Sequence, residues 1–136
     1  MSAQVDQFYD KLQDRLDKVE GRLESVKANV QTLHQQAEDE LQAKLNEVRD
    51  KVQAEKDRVE QTRASLRVRA QQKVAETKEA INQWKANREV RKLNARADRA
   101  ESYAADAIDF ALASIDEAEE AILEAVVARI DADAVQ

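Results

Sequence analysis

From Leu12 to Trp84 an apolar stripe advances 72 residues in 20 steps, 3.6 residues per step, without losing phase. It runs through Phe8, Leu12, Leu16, Val19, Leu23, Val26, Val30, Leu33, Ala37, Leu41, Leu45, Val48 and Val52 and skips at Glu55. It resumes at Val59, Thr62, Leu66, Ala70, Val74, Thr77, Ile81 and Trp84. This is the period of the α-helix, and it predicts that most of the chain is helical. Composition closes off the alternatives. The 136 residues include no proline, no cysteine and a single glycine, Gly21, so little is available for the tight turns that hairpins and β-sheets need.

The fold class expected is therefore all-α. A long, nearly straight coiled-coil-type helix spans residues 1–86, residues 87–98 hold a bend or register shift, and an acidic, alanine-rich helix over 99–136 folds back or continues. A helix from about residue 3 to 85 would be about 120 Å long. Consecutive four-residue steps recur every 29 positions, as do Gln13, Gln42 and Gln71, and Leu16, Leu45 and Val74. A repeat of 29 residues in eight turns has the straight-helix period, which predicts little supercoil.

A single helix cannot bury its own stripe. Alanine accounts for 24 residues, leaving few large apolar side chains for a core, and charged residues make up 37% of the chain. The stripe is narrow and needs a facing helix, so it predicts self-association, most simply a homodimer, with a protein partner as a further expectation. The residues expected to carry association are Leu12, Leu16, Leu23, Val30, Leu41, Leu45, Val52 and Val59. In the second stripe, from Val90 to Ala125 at a strict heptad average, they are Ile108, Ile115 and Ile122. The sequence Asp98-Arg99-Ala100-Glu101 has capping-box spacing and suggests a helix start there.

Charge is laid out in blocks. Residues 1–60 carry 10 basic and 14 acidic side chains, residues 61–100 carry 11 and 4, and residues 101–136 carry 1 and 10. This predicts that the acidic C-terminal helix lies along the basic segment before it, with Ile108 near Trp84, Ile115 near Thr77 and Ile122 near Ala70.

Nothing in the chain assembles a catalytic or metal site by spacing. His34 is the only histidine and cannot activate Ser25, Ser65, Ser102 or Ser114 from its position. Among the acids from Asp116 to Glu124, Glu117, Glu120 and Glu124 share a helical face, but no Glu-x-x-His element accompanies them. No enzyme activity and no cofactor are expected. The cluster Arg88, Arg91, Lys92, Arg96 and Arg99 has the chemistry to meet phosphates, but a net charge of −6 argues against a nucleic-acid partner. No apolar run approaches the roughly 20 residues needed to span a bilayer, and no secretory signal is visible, so a cytoplasmic location is expected. The N-terminal two thirds resembles the exchangeable apolipoproteins in composition, which implies a lipid or hydrophobic granule surface as the alternative partner. It departs from them in lacking proline and a wide apolar face. The charged helical repeats also resemble those of late-embryogenesis-abundant proteins.

Overall fold

A computed structural model describes residues 3–135, excluding the side chains of Lys73, Val74 and Ala75. The chain is all-α, as its period demands. Helix α1 runs Ala3–Thr32, α2 Glu38–Ala75, α3 Lys78–Ala86 and α4 Val90–Ala134. The continuous helix expected to about residue 85 is instead three helices, and α4, at 45 residues, is the longest element. The stripe position at Val74 lies outside the described side chains.

The first interruption has no glycine or proline. After α1, Leu33–Gln35 forms a single 3₁₀ turn and Gln36 becomes extended at φ −95°, ψ 145°. The Gln36 amide donates to the Leu33 carbonyl at 3.1 Å, and the Leu41 amide opens α2 on the Ala37 carbonyl at 3.0 Å. Glu38, Asp39 and Glu40 occupy the first turn of α2, where carboxylates meet the positive end of the helix dipole. The compensation for lost helical bonds is burial: Leu33, Leu41, Leu45 and Val48 come together with Leu123 and Val127 of α4. Leu41 and Leu45 are the most completely buried large side chains, at 1% and 2% exposure.

Helix α3 begins at Thr77, whose Oγ1 accepts from the Ala80 amide at 3.1 Å. Thr77 thus acts as an N-cap and not as a member of the stripe. At the other end Arg88 takes φ 52°, its amide donates to the Lys85 carbonyl, and the Glu89 amide donates to the Trp84 carbonyl. Those two bonds form a Schellman motif with arginine where glycine is usual. Helix α4 starts just beyond, so Asp98 lies inside it and the expected helix start at Asp98 is not used.

Ion pairs give the helix directions. Arg15 meets Asp109 and Arg22 meets Asp116, so α1 and α4 run parallel with a 94-residue offset. Arg69 meets Asp106 and Lys51 meets Asp116, so α2 and α4 run antiparallel. Helix α4 is the element on which both others pack. The core sits at the end where α1 turns into α2, beside the C-terminal half of α4.

Candidate interaction surface

The acidic block of α4 faces α1 and α2 through a ladder of pairs. Arg15 and Asp109 lie 3.0 Å apart, Arg69 and Asp106 2.6 Å, and Lys51 and Asp116 3.5 Å. Arg49 reaches Glu120 at 3.8 Å and Glu124 at 3.7 Å. Asp116 is buried, and it also pairs with Arg22, so one carboxylate joins three helices. Asp106, Asp109, Asp116, Glu120 and Glu124 are thus committed to helix pairing, and no cluster of three or more metal-ligating side chains occurs among the described residues.

The fold-back has a different register from the one charge alone suggested. Asp106, beside Ile108, meets Arg69, and Asp116, beside Ile115, meets Lys51; neither isoleucine is aligned with α3. Two turns and the short α3 use up chain that a simple hairpin would have paired. The basic cluster is also neutralised differently. Arg96 and Arg99 pair with Glu76, and Lys92 pairs with Glu89 at 3.2 Å, all within residues 76–99. Lys92 also stands 6.0 Å from the Trp84 ring centroid, and Arg63 stands 5.3 Å from that of Phe110.

The other singled-out residues have structural surroundings. His34 is exposed in the 3₁₀ turn. Ser102 accepts from Arg69 at 3.1 Å, and the Ser114 hydroxyl donates to the Phe110 carbonyl at 3.0 Å. A cleft of about 570 Å³ lies between the end of α2, α3 and the start of α4, lined by Arg69, Glu76, Ile81, Arg99 and Tyr103. Its arginines already hold Asp106 and Glu76.

The eleven residues expected to drive association divide by burial. Leu41, Leu45 and Val59 are buried, and Leu12, Val52, Ile108, Ile115 and Ile122 are half-buried. Leu16, Leu23 and Val30 are not covered by the bundle: they are 50%, 52% and 39% exposed, and Tyr9, one heptad earlier, is 51% exposed. Three residues after each lies a position turned inward, namely Leu12, Val19, Val26 and Leu33. Helix α1 therefore carries two adjacent heptad rows. Its inner row is covered within the chain, and its outer row is open. Tyr9 was not among the expected residues, although its seven-residue spacing from Leu16 marks it. Two buried acids, Asp116 and Glu119, were likewise invisible to a hydrophobic pattern.

No known protein family, curated protein or solved structure matches this chain.

Proposed function

We propose that this protein is a non-enzymatic structural or adaptor module that acts by helix–helix self-association. The observation that carries the reading is the outer row of α1: Tyr9, Leu16, Leu23 and Val30, large side chains at strict seven-residue spacing and each at least 39% exposed. Isolated exposed apolar residues are ordinary on any surface. A periodic series is a coiled-coil seam, and water is a poor neighbour for it. The bundle braces α1 against α4 through Arg15–Asp109 and Arg22–Asp116, so the seam is presented on a supported helix and not on a frayed one.

Size-exclusion chromatography with light scattering tests the proposal. At about 100 μM the expected mass is a multiple of 15.4 kDa. Leu23→Asp should return the chain to a monomer with unchanged helicity, because this side chain is half outside the bundle already. A wild-type monomer at that concentration rejects the reading. If that monomer floats with phosphatidylcholine vesicles, the row instead serves a lipid surface.

A further inference from the structure

We infer that the occupant of the α1 outer row is the α1 row of a second copy, running antiparallel about a two-fold axis close to Leu23. This rests on the self-association reading and adds its orientation and register.

The first support is where the open row lies. On α1, Lys18, Gly21 and Ser25 line a groove that α2 shares through Lys51, Glu55 and Arg58, with Asp109, Leu112, Ala113 and Asp116 of α4 as its floor. The Leu16–Leu23–Val30 row points away from that groove. On α4, helical geometry places Ile115 about 100° round from Asp116, on the far side from the α2-paired Glu120 and Glu124. The row through Ile115 reads Ala104, Ile108, Ala111, Ile115, Ala118, Ile122, Ala125, with no charged member. Ala118 and Ala125 are exposed. Ile122, however, packs against the Leu33–Leu123 core, and Ile108 and Ile115 are half-buried, so the α1 row is the one left open.

The second support is charge. Flanking the α1 row on its exposed edge are Gln13, Glu20, Lys27 and His34. Glu20 and Lys27 are exposed, and neither is in an ion pair among the described residues. Antiparallel pairing with Leu23 on the axis sets Leu16 opposite Val30. In that register Glu20 of each copy faces Lys27 of the other, twice over by symmetry. Sliding the register by one heptad, to put Leu16 opposite Leu23, sets Glu20 against Glu20. A parallel, in-register pairing sets Glu20 level with Glu20 and Lys27 level with Lys27, so the opposite charges do not meet.

The chain has no cysteine, so single-cysteine variants report orientation directly. Under mild oxidation Leu23→Cys should form a disulfide dimer, Leu16→Cys alone should not, and the double variant Leu16→Cys/Val30→Cys should. Independently, Lys27→Glu should weaken the dimer by roughly tenfold, and the swap Glu20→Lys/Lys27→Glu should restore wild-type affinity. A dimer in which Leu16→Cys links to itself, or which the charge swap fails to rescue, overturns the register but leaves self-association standing. A monomeric wild type removes both.

Discussion

Arg22 of α1 and Asp116 of α4, 94 residues apart in sequence, form an ion pair whose carboxylate is buried while its guanidinium keeps about a third of its exposure. Lys51 of α2 approaches the same carboxylate at 3.5 Å. The two ends of this interaction are therefore unequal, and so are the consequences of removing them. Arg22→Ala leaves a buried anion with one distant cation and should cost about 2–3 kcal/mol. Asp116→Ala leaves two cations that can turn to water and should cost about 1 kcal/mol. Urea unfolding at low protein concentration measures both, and the reverse order would contradict the burial.

A single apolar stripe serves two purposes, and stability separates them. Leu45→Ala empties a site at 2% exposure and should cost about 2–5 kcal/mol of folding free energy. Leu16→Ala, at 50% exposure in the same stripe, should change monomer stability by less than about 0.5 kcal/mol and act on the association constant instead. Thermal unfolding across a hundredfold range of concentration tells the two apart.

Glu119 is buried, and its Oε2 has no hydrogen-bonding partner among the described residues. Retaining a polar atom there costs desolvation without return. Glu119→Met keeps the length of the side chain and should raise stability by about 1–2 kcal/mol. A melting temperature lowered by this change would show that the carboxylate serves the fold in another way.

Arg88 sits in the left-handed region at φ 52°, at the position of the Schellman turn where a side chain is a liability. Arg88→Gly should stabilise the α3–α4 turn by about 0.5–1 kcal/mol, read by chemical denaturation. Helicity should stay unchanged.

Much of this architecture is legible along the chain, for identifiable reasons. A 3.6-residue period and the lack of proline leave helix as the only regular structure that places Leu12 through Trp84 on one face. Segregated charge signals that the last helix lies against earlier ones. The turn at Leu33–Ala37 leaves no such mark, because His34, Gln35, Gln36 and Ala37 all have acceptable helix propensities. What breaks the helix is the later meeting of Leu33, Leu41 and Leu45 with Leu123, a contact between residues some 80–90 positions apart. The pairing register departs from the one charge implies for a related reason. Charge blocks specify which segments attract, but a turn's position shifts every pair, and the turns here consume Glu76–Thr77 and Asn87–Glu89.

By itself the sequence determined that the chain is helical, that its apolar stripe must find other helices, and that the acidic C-terminal segment belongs against basic side chains, since periodicity and charge are local quantities. Only the tertiary structure decided that α4 of the same chain covers the inner row of α1. It also decided that Asp116 and Glu119 go inside, and that Tyr9, Leu16, Leu23 and Val30 remain outside. A stripe on one helix is symmetric with respect to which neighbour takes it. The choice depends on competing burial across the whole bundle, which no segment of the chain contains alone.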